Sequence, residues 1–390
     1  MMHIQRQLDD AFQRAMDAGL MPGVTVAVSR ADEVLYAGSY GVRRLGDDVP
    51  MTADTVCWIA SMTKAITATA AMLLVERGAL HLDQPAAEIV PEIAAAEVLI
   101  GFGDDGQAVT RPVQTAITLR HLLTHTAGFS YDTWDDRIYH YRKVTDTPAV
   151  GSGQLKALTT PLVFEPGSDW AYSIGIDWAG QMVEAVSGQS LGAFMQAELF
   201  QPLKMASTGF QVSADMRARR ASVHQRDADS HVLTVTDFEL PTEVEFEGGG
   251  GSLYSTVEDY LSFCRLFLNQ GRVDKQPLLS PETVATMSRN QIGALRVKPM
   301  RTVQPCRSND VEFMPGIDKT WGLSFMINQH DVPGRRHAGS LAWAGLSNCY
   351  YWIDPTAGVT GVFMSQVLPF ADPIALDLFD KVEQATYAAL

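Results

Sequence analysis

The chain has 390 residues, 46% of them hydrophobic and 19% charged, which is typical of a soluble globular enzyme with one large domain or two interleaved ones. Its 45 acidic and 30 basic residues give a formal charge of −15, which argues against nucleic-acid binding because such proteins are expected to be basic. The four cysteines are scattered without a C-x-x-C pair, so the sequence predicts neither a disulfide framework nor a zinc site.

The first forty residues predict a helix followed by a β-hairpin. Apolar residues recur with helical period over residues 4–18, and Gly19 ends the pattern. Residues 23–29 and 34–39 have strand composition and flank a polar turn. The first seven residues lack the apolar stretch of a signal peptide, and no apolar run is long enough to span a bilayer. We therefore expect a cytoplasmic protein that has no membrane partner.

Residues 61–64, Ser-Met-Thr-Lys, carry the strongest catalytic signal. Residues 63–77 are rich in Ala and Leu and precede Gly78, which predicts a helix. Ser61 and Lys64 then lie one turn apart on one face, so the amine can accept the Ser61 proton. Unpaired N–H groups at the helix start can hold an oxyanion. S-x-x-K alone is a weak motif, and a serine here is often only a cap. The helix is apolar nearly all round, however, so it is expected to be buried, and a buried lysine requires a partner or a function.

The remainder of the chain predicts helices followed by strands. The predicted helices after residue 79 cover residues 119–125, 177–186, 190–200 and 256–269. The predicted strands cover residues 321–329, 348–353 and 358–366, and a closing helix covers residues 371–390.

Strands at both ends of the chain predict an α/β fold of the α+β type, with an antiparallel sheet built from both termini and flanked by helices. Residues 1–80 and 286–390 would form the α/β domain, and residues 81–285 a mainly helical inserted domain. The active site would lie between them.

Several other motifs match the sequence patterns of known functional sites but lack the secondary structure or the additional residues that those sites require. Residues 101–106 spell G-x-G-x-x-G, but no helix follows, so a loop is predicted. Residues 188–192 spell G-x-S-x-G between two predicted helices, where the serine is expected to be a cap. His121 and His125 have zinc-helix spacing but lack the glutamate and a third ligand, so they are expected to be structural. The glycines of residues 248–251 would let the backbone approach a buried group, such as the floor of the site.

Tyr172 follows a Pro-Gly turn and precedes a predicted helix. A lone tyrosine is usually a core residue. Beside an S-x-x-K motif it has a second interpretation, because a nearby Lys64 would favour its ionised form. Tyr172 could then take the Ser61 proton and return it to a leaving group.

Together these stretches resemble the serine β-lactamase and penicillin-binding superfamily, in particular the class C-like branch with the family VIII carboxylesterases and related acyltransferases. The resemblance covers nearly the whole chain. It is carried by residues 61–64, 122–129, 164–167, 172–173 and 249–260. It implies a β-lactamase-like fold, with Ser61 as the nucleophile, Lys64 and Tyr172 as a coupled base, and no metal or cofactor.

The K-T-G motif of that superfamily has two candidate replacements. Residues 343–345 (Trp-Ala-Gly) resemble the W-x-G of the esterases and are preferred over residues 337–339 (His-Ala-Gly). The resemblance then assigns the oxyanion hole to the N–H groups of Ser61 and Leu346. With the second candidate, Ser340 would replace Leu346.

The departures from the superfamily indicate the substrate. Trp343 and Ile174 stand where β-lactamases and peptidases have a lysine and an asparagine that bind the substrate. Loss of the cation removes a charge-assisted contact of about 1.5–3 kcal/mol, which favours uncharged substrates. Trp343 and Gly345, together with Trp134 and Tyr131 of an aromatic loop, are predicted to bind the substrate.

The sequence therefore predicts a serine carboxylesterase that hydrolyses neutral, short-acyl esters of small molecules. The alternatives are an acyltransferase with the same acyl-enzyme, a β-lactamase or D,D-peptidase, and a non-catalytic member of the fold that binds acyl ligands. The natural substrate and the oligomeric state are not readable from the sequence.

Overall fold

The structure, a computed structural model, describes residues 2–390. The helices are α1 (Met2–Asp17), α2 (Thr63–Glu76), α3 (Leu119–Thr124), α4 (Asp136–Thr145), α5 (Gly175–Ser187), α6 (Leu191–Met195), α7 (Gln201–Leu203), α8 (Ala214–Ala218), α9 (Val257–Leu268), α10 (Pro281–Met287) and α11 (Pro373–Tyr387). The strands are β1 (Gly23–Arg30), β2 (Val34–Gly41), β3 (Cys57–Trp58), β4 (Glu97–Phe102), β5 (Ala108–Pro112), β6 (His224–Arg226), β7 (Leu233–Val235), β8 (Tyr254–Ser255), β9 (Arg272–Val273), β10 (Gln276–Pro277), β11 (Lys319–Trp321), β12 (Met326–Asn328), β13 (Leu341–Gly345), β14 (Cys349–Asp354), β15 (Val359–Ser365) and β16 (Val367–Leu368).

A seven-stranded antiparallel sheet joins the two ends of the chain. Its strand order is β11-β12-β13-β14-β15-β1-β2. The central pairing is between β1 and β15, running from Val24 opposite Ser365 to Arg30 opposite Val359. The N-terminal hairpin β1–β2 is thus added to strands from the C-terminal hundred residues. This topology confirms the predicted fold, with an antiparallel sheet built from both termini.

Helices cover both faces of this sheet. Strands β13, β14 and β15 are buried along their whole length, as expected for strands that are packed on both sides. On one face, Tyr260 of α9 packs against Tyr351 of β14, with ring centroids 5.1 Å apart. On the other face, Phe379 of α11 stacks on Tyr350, with ring centroids 5.0 Å apart. The two neighbouring tyrosines point in opposite directions because side chains alternate along a strand.

Helix α2 is the buried helix that the sequence predicts. Every residue from Thr63 to Leu74 is buried. Its threonine hydroxyls are satisfied within the helix or by its neighbours: Thr69 donates to the Ala65 carbonyl at 2.8 Å, and Thr67 donates to the Gly249 carbonyl at 2.7 Å. A helix with almost no polar surface can therefore be enclosed without unpaired hydroxyls.

Two stretches differ from the prediction. Residues 321–329, predicted as one strand, contain parts of the two antiparallel strands β11 and β12, joined by a turn in which Ser324 has φ +71°. The predicted loop at residues 101–106 belongs to the hairpin β4–β5, which lies within the stretch expected to be mainly helical. Both stretches mix strand and turn residues at short range, where periodicity carries little information.

All four cysteines are free thiols, and three of them are buried: Cys57, Cys264 and Cys349. Among residues 2–390, no helix combines the length and the apolar character needed to cross a membrane.

Candidate active site

Ser61 lies in a 3₁₀ turn, Ala60–Met62, directly before α2. Ala60 has φ +44°, a left-handed conformation that is uncommon for residues other than glycine and that often marks functional sites. The Thr63 hydroxyl donates to the Ala60 carbonyl at 2.6 Å and accepts from the Leu253 N–H at 3.1 Å. These bonds fix the turn and direct the half-buried Ser61 side chain toward a cavity.

The Lys64 amine contacts three oxygen atoms and is fully buried. Its Nζ lies 3.1 Å from Ser61 Oγ and 2.9 Å from the Tyr131 hydroxyl, and it is hydrogen-bonded to the Gly250 carbonyl. An uncharged amine has two hydrogens and one lone pair. If the hydrogens go to Tyr131 and Gly250, the lone pair remains for the Ser61 hydroxyl hydrogen. The geometry therefore suits a general base.

The charge of Lys64 is controlled by burial and by Asp177. Burial lowers the pKa of Lys64 to about 7, and the Asp177 carboxylate acts in the opposite direction. Burial likewise raises the pKa of Asp177, while Lys64 and the Gly250 N–H lower it. Burial thus favours the uncharged amine, the form that a general base requires.

Asp177 is a site residue that the sequence analysis missed. Its Oδ1 accepts a hydrogen bond from the Gly250 N–H at 2.8 Å, and its buried Oδ2 has no hydrogen-bond partner in the structure. A Cβ on Gly250 would come within 2.4 Å of Asp177 Oδ2. The glycine run therefore forms the floor of the site, as expected. The available signal was an acidic residue within residues 175–180, the otherwise apolar beginning of helix α5.

Tyr172 lies beside Lys64 and is held by Trp343. The Trp343 indole N–H donates to the Tyr172 hydroxyl at 3.0 Å, and Lys64 Nζ is 4.8 Å from the Tyr172 ring centroid. Burial raises the pKa of Tyr172 well above its usual value, although hydrogen bonds with Ser61 and Trp343 act against this. The expectation that Lys64 favours an ionised Tyr172 is therefore wrong, because burial is the largest effect on the pKa of Tyr172 and the Asp177 carboxylate raises that pKa further.

His125 is buried behind Tyr172 and supports its ring. The two ring centroids are 4.7 Å apart, and the Ser173 N–H donates to His125 Nδ1 at 3.2 Å, which places the imidazole proton on Nε2. Burial, and then the proximity of Lys64, lower the pKa of His125 well below its usual value. His121 forms the capping box of α3 with Thr118. Both histidines have structural roles, and residues 2–390 contain no cluster of three or more possible metal ligands.

The end of strand β13 lies against the Ala60–Met62 turn that carries Ser61. A Cβ on Gly345 would come within 2.2 Å of the Ile59 carbonyl oxygen, so only glycine permits this approach. Leu346 follows directly and lines the same cavity as Ser61. No backbone carbonyl of residues 2–390 accepts from the Leu346 N–H. Residues 343–345, rather than 337–339, thus lie beside Ser61. This placement supports the predicted oxyanion hole of Ser61 and Leu346.

The cavity in front of Ser61 has a volume of about 240 Å³. Two of the predicted substrate-binding residues, Tyr131 and Trp134, line it. Trp343 is only 4% exposed and lies behind Tyr172, and Gly345 lies at the turn described above, so neither belongs to the lining. The structure adds a role for Tyr131 that the sequence did not suggest, as a hydrogen-bond partner of Lys64.

The charge of Lys64 predicts the pH dependence of activity. A base with a pKa of about 7 must lose its proton, so kcat/KM should rise with pH through that region. In Asp177→Asn the carboxylate that raises the pKa of Lys64 is gone, and the rise should move to lower pH. Initial rates of ester hydrolysis across the pH range measure both profiles. A rise that stays in place or moves to higher pH in the variant would contradict the assigned coupling.

Comparisons with known proteins identify the family of the chain. A sequence profile of the beta-lactamase family matches residues 8–384. The chain is 33% identical to a lovastatin esterase from Penicillium rubens, covering 95% of both proteins. It is 30% identical to monacolin J acid methylbutanoyltransferase from Aspergillus terreus, covering 98% of this chain and 95% of that protein. A variant of simvastatin synthase from Aspergillus terreus has a similar structure, with a TM-score of 0.85, 29% identity, and coverage of 98% and 94% of the two chains.

Proposed function

The chain belongs to the beta-lactamase family, and on that premise we propose that it is a serine carboxylesterase acting on small esters with a short, uncharged acyl group. The observation that carries this proposal is the contact between Lys64 Nζ and Ser61 Oγ at 3.1 Å, in a buried setting that lowers the pKa of the amine. A serine hydroxyl beside an uncharged amine is an activated nucleophile.

The proposed reaction has two halves. Ser61 Oγ attacks the ester carbonyl while its proton passes to Lys64, and the N–H groups of Ser61 and Leu346 hold the oxyanion. The tetrahedral intermediate collapses to an acyl-enzyme, and the departing alcohol takes a proton from the neutral Tyr172 hydroxyl. The protonated Lys64 then gives its extra proton to Tyr172, so that both groups are neutral again. Water then attacks the acyl-enzyme, giving its proton to the same pair, and the acid is released as Ser61 is restored.

The residues around the nucleophile support an uncharged acyl group. Trp343 replaces the cation that the superfamily resemblance would place at this position, and its N–H is already bonded to Tyr172. Ile174, at the position of the amide-binding asparagine, is fully buried. Neither residue offers a polar contact to a β-lactam or a cell-wall peptide, so we rank β-lactamase and peptidase activity below esterase activity.

A second candidate function is acyl transfer to an alcohol, which uses the same acyl-enzyme. It is favoured by the relatives, since the chain resembles a methylbutanoyltransferase and an esterase to a similar extent. The two functions differ only in whether water or an alcohol attacks the acyl group.

Product partitioning separates the two functions. The enzyme is given an aryl acetate with increasing amounts of a primary alcohol, and free acetate and the new ester are both quantified. An esterase should release mainly acetate at every alcohol concentration. If the new ester predominates at low alcohol concentration, the protein is an acyltransferase. Turnover of a β-lactam that is faster than that of every ester would contradict both.

A further inference from the structure

The cavity contains a cation that the proposed mechanism does not use. Arg307 is half-buried and lines the same cavity as Ser61. Within residues 2–390, no carboxylate lies within 4.0 Å of its guanidinium, and no hydrogen bond from that group is formed. Other arginines nearby are paired: Arg220 binds Glu239 at the cavity wall, and Arg301 binds Asp310 at 2.8 Å in the same loop. The N–H donors of this half-buried guanidinium are therefore available to a ligand in the cavity.

The backbone that carries Arg307 is firmly held. The Arg307 N–H donates to the Gln304 carbonyl at 2.8 Å, and the Arg307 carbonyl accepts from the Phe370 N–H at 2.9 Å. The neighbouring Ser308 is buried, and its hydroxyl accepts from the Trp134 indole N–H at 3.1 Å. The loop is thus attached to the aromatic wall of the cavity. A fixed backbone reduces the entropy cost of holding a ligand with this side chain.

These contacts connect the Arg307 loop to Tyr172 through Trp134, which lines the cavity. The Trp134 and Tyr172 rings are 5.5 Å apart, and Trp134 is in turn bonded to the residue next to Arg307. Under the proposed function, Tyr172 returns a proton to the departing alcohol. The alcohol oxygen must therefore be near Tyr172, and the remainder of the alcohol extends along the wall that carries Arg307.

We propose that Arg307 binds a carboxylate, or a comparable anionic group, on the alcohol half of the ester. A planar guanidinium matches a carboxylate through two parallel hydrogen bonds, and the contact is strengthened where water is partly excluded. The inference rests on the proposed function for the identity of the alcohol half. It departs from the neutral ester that the sequence predicts in the alcohol half alone and keeps the uncharged acyl group.

Asp132 is the group that could compete for Arg307. It lines the same cavity, and it also has no ion pair within 4.0 Å among the described residues. Its charge would repel an anionic ligand, so Asp132→Asn should strengthen the preference for such a ligand. The other acids of the cavity are engaged elsewhere: Glu239 binds two arginines, and Asp177 is bonded to Gly250.

The test compares two acetate esters that differ in one charge, 4-acetoxybenzoate and 4-acetoxybenzamide. The wild-type enzyme should have the higher kcat/KM for the carboxylate ester, after correction for the intrinsic reactivity of the two phenols. Arg307→Gln should lower kcat/KM for the carboxylate ester about 10- to 100-fold and leave the carboxamide ester nearly unchanged. Arg301→Gln, an exposed arginine of the same loop, is the matched control and should alter neither value.

Equal losses for both esters in Arg307→Gln, or no preference in the wild-type enzyme, would overturn the assignment of Arg307. Calorimetric titration with 4-hydroxybenzoate and 4-hydroxybenzamide gives a readout that needs no turnover. If neither ester is hydrolysed but binding of 4-hydroxybenzoate depends on Arg307, the anion site stands and the proposed function fails. If both esters are hydrolysed without any dependence on Arg307, the function stands and the anion site fails.

Discussion

Replacement of Ser61 by alanine should lower kcat for ester hydrolysis by about 10⁴-fold or more, because the Tyr131 phenol is the one other hydroxyl among residues 2–390 that contacts the Lys64 amine. The Ser61 side chain is half-buried at the cavity surface, so its loss should leave the unfolding temperature nearly unchanged. Steady-state kinetics and a thermal melt measure the two effects. A variant that retains near wild-type kcat with an intact fold would contradict the assignment of the nucleophile.

Replacement of Lys64 by methionine should lower kcat by about 10²- to 10⁴-fold, the usual contribution of a general base. Methionine has similar length but no amine, so the lone pair that faces Ser61 Oγ is lost. The rise of kcat/KM through about pH 7 should disappear with it.

Thr67→Val is the matched control for the lysine variant. Thr67 lies one helical turn further along α2, is equally buried, and donates to Gly249, next to the residue that accepts from Lys64. Its replacement perturbs the same helix and the same glycine run without touching Ser61 or Lys64. Comparable losses of kcat in both variants would show that packing, rather than the amine, accounts for the effect of Lys64→Met.

The parts of the fold that depend on long periodic segments could be predicted from the sequence. Helix α2 and the N-terminal hairpin follow from composition and period, and the strands at the two ends implied a shared sheet. The turn between β11 and β12 could not be predicted. Both strands are buried on both faces, so the apolar run is nearly continuous, and the left-handed conformation of Ser324 has no local signature.

The proximity of Ser61, Lys64 and Tyr172 could also be predicted, because short motifs carry these residues. The contacts of Asp177 and Tyr131 could not be predicted from the sequence. Tyr131 reaches Lys64, and Asp177 reaches Gly250, only through tertiary packing. Trp343 was expected to face the substrate, yet its indole N–H donates to the Tyr172 hydroxyl and its side chain does not line the cavity. The ionisation of Tyr172 was misjudged for a related reason: a sequence shows which charges are near but not how deeply a group is buried.

The central claim is that an acyl group is transferred to Ser61, and mass spectrometry of the trapped intermediate tests it most directly. The enzyme is mixed with an aryl acetate, quenched in acid within the first turnovers, and digested. We predict an added acetyl group on the peptide that contains Ser61, absent from Ser61→Ala. Rapid hydrolysis by the wild-type enzyme with the acetyl group on another residue, or with the same adduct in Ser61→Ala, would contradict the account.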